Sequence, residues 1–144
     1  MNKILDTATY QLLALGYDKM SYTTLSKETG ISRTGISHHF PKKTDFTKAL
    51  EGRFIKIIID QLNCDSSLKV FEDSWHKALN NDKFMSVFRL AFHHSIVSDE
   101  DKAFSHRLIT AISDVISHKL GEDAGRSIEW LVGVTLISMT KKLS

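Results

Sequence analysis

Residues 21–46 read SYTTLSKETGISRTGISHHFPKKTDF and contain the clearest structural pattern of the chain. Ser21 is a favourable N-cap for a short helix, and Gly30 stands where that helix needs a left-handed residue in order to end. Ser32 can cap a second short helix, which Pro41 closes because the residue before a proline avoids the helical region. Two short helices joined by a four-residue turn that contains glycine are typical of a helix-turn-helix.

Outward from this stretch, the spacing of apolar residues predicts helices along the whole chain. Seven glycines and one proline in 144 residues also favour helices over strands. The further predicted helices cover residues 2–15, 43–62, 68–79, 83–97, 99–120 and 123–141. We predict an all-α fold in which an N-terminal three-helix head, residues 1–45, carries the helix-turn-helix. A linking helix, about residues 43–62, joins it to a helical dimerisation and effector-binding body, residues 46–144.

Composition excludes several classes of protein. The apolar fraction of 42% suits a globular chain and is too high for a disordered one. Cys64 is the single cysteine, so neither a disulfide within the chain nor a zinc site of several cysteines is available. Polar residues interrupt the N-terminal helix, unlike a signal peptide, and the longest apolar stretch, residues 130–139, is about half of the ~20 residues of a membrane span. We therefore expect a cytoplasmic protein that does not bind a membrane.

The sequence contains no recognisable catalytic or metal-binding motif. It has no glycine-rich phosphate loop, no HExxH pair and no nucleophile elbow, so we expect neither an enzyme nor a cofactor. His93 and His94 are neighbours, and adjacent helical residues point about 100° apart. We expect one of them to face the interior and the other to face water, with no metal ion between them.

Charge is distributed unevenly along the chain. Residues 27–56 contain seven cations and three acidic residues, whereas residues 64–144 contain ten cations and eleven acidic residues. A basic head on a nearly neutral body indicates a polyanionic partner for the head. The alternative is a solvated charged face.

Residues 21–46 resemble the DNA-binding head of the TetR/AcrR family of bacterial regulators. The family shares a turn that ends in Gly-Val-Ser, a recognition helix that ends in an aromatic-x-His-Phe stretch, and a lysine that opens the next helix. The matching residues here are Gly30-Ile31-Ser32, Ile36, His39-Phe40, Lys43 and Phe46. The resemblance covers roughly residues 1–55. It implies binding to double-stranded DNA by a head whose helical body dimerises and often holds a ligand.

The resemblance and the docking rules of helix-turn-helix proteins together suggest the DNA contacts. Arg33 lies in the first turn of the recognition helix, where arginine can pair with guanine, although it could equally be an unengaged surface arginine. Lys43 opens the next helix, where its ammonium and the free backbone N–H groups suit a phosphate. His39 is expected mainly to pack and orient the helix end, and Thr23 could be a helix-start residue without a DNA role. The candidate contacts are Thr23, Ser32, Arg33, Thr34, Gly35, Ser37, His38, His39, Lys42 and Lys43.

Two positions depart from the family pattern. Thr34 stands where the family usually has glycine, and glycine follows one position later, at Gly35. Ser37 stands where the family usually has a tyrosine that commonly touches a phosphate, and serine reaches less far. A glycine inside a helix costs ~1 kcal/mol relative to alanine. Gly35 therefore either permits a close approach to DNA or only softens the helix.

Aromatic residues in the middle helices are the candidates for an effector pocket. A pocket lined by them would take a small and mainly apolar molecule. Aromatic residues at helical spacing are equally suited to plain core packing. The candidates are Phe71, Trp75, Phe84, Phe88 and Phe92.

The last two helices have more apolar surface than a small monomer could cover. A two-fold dimer, in which these helices and their mates form a four-helix bundle, would bury the excess. Two heads related by a two-fold axis imply a palindromic operator. The candidate interface residues are Leu108, Ile112, Val115, Ile116, Trp130, Leu131, Val134 and Ile137.

Two functions remain open on the sequence alone. The first is a dimeric transcriptional repressor that occludes its operator and is released by a small apolar effector. The second is a helical protein-interaction module whose head has lost DNA binding, and Thr34 and Ser37 are the features that favour it.

Overall fold

Helices account for the regular secondary structure of residues 2–141, the part of the chain that the computed structural model describes. The elements are α1 (Asn2–Leu15), a 3-10 turn (Tyr17–Lys19), α2 (Tyr22–Thr29), α3 (Arg33–His39), α4 (Thr44–Asp60), α5 (Leu68–Ala78), α6 (Asp82–His94), α7 (Asp99–Leu120) and α8 (Asp123–Thr140). The all-α prediction is confirmed. The largest difference in a boundary is at α6, which ends three residues before the predicted residue 97.

Side-chain caps set the beginnings of most of the helices. A hydroxyl or amide oxygen accepts a hydrogen bond from the backbone N–H three residues further on, which is worth ~1 kcal/mol for each cap. Gly30, with φ of 74°, ends α2 in the left-handed conformation, and its N–H donates to the carbonyl of Ser26. The capping residues are Ser21, Ser32, Ser67, Asn81 and Ser98.

The head consists of α1, α2 and α3 around a small core. Leu25 and Ile36, one from each helix of the helix-turn-helix, are fully buried there. Gln11 on α1 is also buried. Its side-chain amide donates to the carbonyl of Thr24 and its amide oxygen accepts from the Thr24 hydroxyl, at 3.2 and 2.6 Å. This pair of hydrogen bonds ties α1 to the first turn of α2.

The body is built around α7, which packs against α4, α6 and α8. The linking helix α4 also contacts α1 of the head, so it belongs to both parts of the molecule. Two ion pairs hold it in place: Arg53 with Asp6 at 2.6 Å and Arg107 with Glu51 at 2.9 Å. None of the described helices is sufficiently long and apolar to span a membrane.

The candidate pocket residues form a packed core in this structure, which is the alternative that the sequence left open. Four of the five rings, Phe71, Trp75, Phe84 and Phe88, are at most 1% exposed, and Phe92 packs half-buried beside them. Neighbouring ring centroids lie 5.1–6.0 Å apart. The Trp75 indole N–H donates to the Thr135 hydroxyl at 2.8 Å, so even its polar atom is satisfied internally. Neither of the two clefts described below is lined by these rings.

Half of the predicted dimer interface also lies inside the chain. The inward faces of α7 and α8 pack on each other and on α4, α5 and α6, so the side chains there have no surface left for a partner. The residues corrected in this way are Leu108, Ile112, Ile116 and Leu131, each at most 1% exposed. Trp130 and Ile137 are each 56% exposed, and Val115 and Val134 are half-buried.

Candidate nucleic-acid interface

The helix α3 presents a polar face to solvent and anchors itself by one buried residue. Ile36 is fully buried between α3 and the rest of the head. Arg33, Thr34 and His38 are exposed on the other side of the helix. This is the arrangement in which a recognition helix can enter a major groove.

Arg33 and Thr23 bring the starts of α3 and α2 onto one surface. The Arg33 guanidinium donates to the Thr23 hydroxyl at 3.5 Å, and both side chains are exposed. Because this is a long hydrogen bond in water, it holds the guanidinium only weakly. Arg33 is therefore free to exchange this contact for a base edge or a phosphate while Thr23 stays beside it.

The C-terminal end of α3 is held by Phe40 rather than by the histidine before it. Phe40 is buried and stacks on Phe46 with a centroid distance of 4.5 Å, and its carbonyl accepts a hydrogen bond from the Tyr22 hydroxyl at 2.5 Å. His39, which was expected to pack, is exposed beside His38. This corrects the sequence expectation and leaves both histidines available to a ligand. Sequence reasoning missed the Tyr22 contact, because it joins residues eighteen positions apart.

Packing inside the helix-turn-helix explains why residue 35 is a glycine. A Cβ at this position would lie 3.2 Å from Cγ2 of Ile31 and 3.2 Å from the hydroxyl oxygen of Ser32. The same hydroxyl caps α3 by accepting from the Gly35 N–H at 3.0 Å. A side chain here would therefore press on both the turn and the cap, which gives the glycine a structural reason within the head.

Ser37 is half-buried, and its hydroxyl donates to the carbonyl of Thr34 at 3.1 Å. Its hydrogen bond is thus satisfied within α3 itself. The short side chain offers less to a phosphate than the longer tyrosine of the family pattern.

The start of α4 combines two lysines in different environments. Lys42 is exposed, and its backbone N–H donates to Asp45 at 2.8 Å. The Lys43 ammonium lies 4.2 Å from the ring centroid of Tyr17, and burial lowers the pKa of this lysine. The Lys43 side chain does not cap α4, and the N–H groups of Asp45 and Phe46 donate to the carbonyls of Lys42 and Lys43 at 3.0 and 3.2 Å. Lys43 would have to leave Tyr17 to reach a phosphate.

Tyr17 is the centre of the junction between head and body. Its ring packs edge-on against His94 of α6 with a centroid distance of 4.4 Å. Burial, with Asp101 and Glu100 nearby, raises the pKa of Tyr17 to about 12. At the edge of this junction, Thr44 at the start of α4 donates to Glu100 of α7 at 2.8 Å. No local pattern in the sequence points to this cluster, because its residues come from four separate elements.

Unpaired cations gather around the helix-turn-helix. Within the described residues, no carboxylate lies within 4 Å of a side-chain nitrogen of Lys27, Arg33, Lys42 or Lys48. The cations further along α4 are paired, as in the contact of Lys56 with Asp60 at 2.7 Å. Unpaired charges on the exposed side of the head are the ones that can neutralise phosphates.

Two protein-family models match the chain, and together they span nearly all of it. Residues 4–50 match the model described as bacterial regulatory proteins of the tetR family. Residues 51–139 match the model described as the tetracycline repressor LuxT C-terminal domain. The two matches meet within α4. No individual curated protein matches the chain.

Proposed function

The chain belongs to the TetR family of bacterial regulatory proteins and is a DNA-binding transcriptional regulator, and from this premise we propose that it acts as a dimeric repressor. Regulators of this family are not enzymes. The observation that carries the proposal is the exposed face around Arg33, which joins the starts of α2 and α3 and has unpaired cations on its flanks.

The proposed DNA contacts divide into base and phosphate contacts. Arg33 and Thr34 lie in the first turn of α3, where side chains meet base edges. Thr23, Ser37, His38, His39 and Lys42 lie around them as phosphate or flanking contacts. Ser32 and Gly35 shape the helix start, and Lys43 becomes a phosphate contact only after it leaves Tyr17.

We further propose that the outward face of α8 closes a two-fold dimer. This face, which we call the α8 face, comprises Trp130, Gly133, Leu136 and Ile137. Its three large side chains are 48–56% exposed, and they follow one another at helical spacing. An apolar stripe of this kind at the surface of a small chain indicates a protein contact. Val115 and Val134, which are half-buried, would contribute what surface they retain.

The dimer is tested by the mass of the protein at micromolar concentration. The parent should sediment with twice the mass of the chain, and Ile137→Asp should shift it to the monomer. The matched control is Ile96→Asp, because Ile96 is 81% exposed but lies between α6 and α7, outside the α8 face. A monomeric parent, or dimers of Ile137→Asp as stable as those of the parent, would contradict this interface.

The repressor mechanism is tested by footprinting on DNA from upstream of the protein's own gene. Two recognition helices related by a two-fold axis should protect half-sites whose centres are about 34–36 Å apart, or about one helical turn. Protection overlapping a promoter, with loss of transcription in vitro, supports operator occlusion. Protection of a single half-site, or raised transcription, would contradict the dimeric repressor.

A further inference from the structure

An apolar cleft that could hold a small molecule opens at the junction of head and body. A cleft of about 300 Å³ opens between the end of α1, the 3-10 turn and α6. Leu12, Leu13, Tyr17 and Leu90 supply apolar walls. A volume of this size is at the lower end of what small-molecule sites occupy, which is about 300–1,000 Å³.

An apolar extension continues this cleft along α1. A second cleft of about 400 Å³ is lined by Tyr10 and Ile57 and shares Leu13, Ala14 and Ser86 with the first. Its lining also includes the charged residues Asp6, Asp82 and Lys83, so the part of the site suited to a carboxylate is the first cleft and the second can take only an apolar chain. Tyr10 is 65% exposed and Leu15, at the other end, is 48% exposed. The two clefts together form one apolar groove between α1 and α6, which we call the junction groove.

The rim of the first cleft is cationic. Lys19 and Arg89 both line it, and within the described residues neither has a carboxylate within 4 Å. The only side-chain partner of the Arg89 guanidinium there is the Ser86 hydroxyl, at 3.5 Å. The one acidic residue of the lining, Asp18, lies 3.8 Å from His93. An unpaired guanidinium above an apolar floor is suited to a carboxylate.

We propose that the junction groove binds an amphipathic monocarboxylate with a flexible apolar chain, whose carboxylate pairs with Arg89 and whose chain lies along Leu13 towards Tyr10. This inference names the site and the chemical class of the effector, and it rests on the proposed function as a regulator.

Tyr17 connects the junction groove to the DNA-binding face. It lines the first cleft, packs on His94 of the body, and carries the Lys43 ammonium over its ring. A ligand that changes the position of Tyr17 therefore changes the environment of Lys43 at the start of α4. Because the groove walls come from α1 of the head and α6 of the body, occupancy also depends on how head and body are oriented.

The experiment is calorimetric titration of the full chain with decanoate below its micellar concentration. The parent should bind decanoate with Kd below about 1 mM, and Arg89→Gln should weaken binding by about tenfold or more. Lys69→Gln is the matched control, because Lys69 is an exposed cation on α5 away from the groove. Decanol, which has the same chain and no charge, should bind the parent more weakly than decanoate.

A second variant tests the apolar part of the groove. Leu13→Lys places a charge in the wall that both clefts share and should abolish decanoate binding, while circular dichroism verifies that the variant is folded. Failure of decanoate to bind the parent, or equal binding by the parent and Arg89→Gln, overturns the inference. DNA binding by the same samples, measured without decanoate, tests the proposed function separately. A failure of the decanoate site can therefore be distinguished from a failure of the proposed function.

Discussion

In the head, residues that are close in sequence determine the local structure, whereas in the body contacts between distant helices do so. The helix starts, the turn and the candidate DNA-binding face of the head depend on contacts between near neighbours, such as the hydrogen bond from the Gly35 N–H to the Ser32 hydroxyl. In the body, an apolar residue on α8 is equally suited to the core or to a partner until its contacts are known. Leu131 is fully buried and its neighbour Trp130 is 56% exposed. Local patterns are therefore sufficient to identify the DNA-binding head, whereas only tertiary packing separates a core from an interface.

The largest expected effect is on the free energy of unfolding, and it distinguishes Leu131 from Trp130 on α8. Leu131→Asp places a carboxylate in the core and should lower the free energy of unfolding by about 3–5 kcal/mol, or prevent folding. Trp130→Asp, at an exposed position, should leave the chain folded and reduce only the part of the stability that depends on protein concentration. Urea unfolding followed by circular dichroism at several concentrations measures both. An equal decrease in the free energy of unfolding of the two variants would contradict the distinction between the core and the α8 face.

The next largest effect is expected on DNA affinity, where Arg33 and Lys42 should have different roles. Arg33→Ala should weaken binding to the preferred operator by ~1–3 kcal/mol and relax the preference at one base pair. Lys42→Ala should weaken all sequences alike and reduce the dependence of affinity on salt. Fluorescence anisotropy with operator and scrambled duplexes measures both variants. If both bind as tightly as the parent, the face around α3 is not the docking face.

A smaller effect is expected from two of the helical glycines, Gly35 and Gly52. Alanine is the better helix former by ~1 kcal/mol, so Gly52→Ala, with open space around its Cβ, should stabilise the protein by about that amount. Gly35→Ala should lose this gain and also weaken DNA binding, because its Cβ would crowd Ile31 and the Ser32 cap at 3.2 Å. Thermal unfolding of the two variants gives the comparison. Equal stabilisation by both would show that Gly35 has no packing role.

The smallest expected effect concerns the buried His94 between α6 and α7. Its Nδ1 donates to the Leu90 carbonyl at 2.9 Å, and its Nε2 faces a carboxylate oxygen of Asp101 at 3.6 Å without a hydrogen bond. Burial lowers the pKa of His94 below its usual 6.5. His94 therefore binds a proton more readily in the unfolded chain than in the folded one. Its contribution to the free energy of unfolding is fully present above about pH 6.5 and decreases as the pH falls through that value.

The measurement is the Tm at about pH 7.5 and about pH 5.5, on either side of the ordinary histidine pKa. The His94→Gln variant should lose less Tm on acidification than the parent. His106→Gln, at an exposed position on α7, should behave like the parent. An unchanged pH dependence in His94→Gln would show that another group is responsible.

Prediction from sequence succeeded where the physical cause is local. The caps at Ser21, Ser32 and Ser98 and the left-handed Gly30 act within four residues, and the helices begin and end accordingly. The sequence could not decide between core and pocket for Phe71 or between core and interface for Leu131, because both depend on how distant helices pack; both side chains are buried. His39 was expected to pack but is exposed, and the end of α3 is held instead by the buried Phe40 and its hydrogen bond from Tyr22.

The most direct test of the central claim is equilibrium binding of the parent protein to two duplexes at physiological salt. One duplex carries the DNA upstream of the protein's own gene, and the other has the same length and base composition in scrambled order. A sequence-specific regulator should bind the first about a thousandfold more tightly than the second, and a rise in salt should weaken both. Equal affinity for the two duplexes, or no binding to either or to any duplex from the flanking region, would contradict the assignment of the head as a sequence-reading DNA-binding surface.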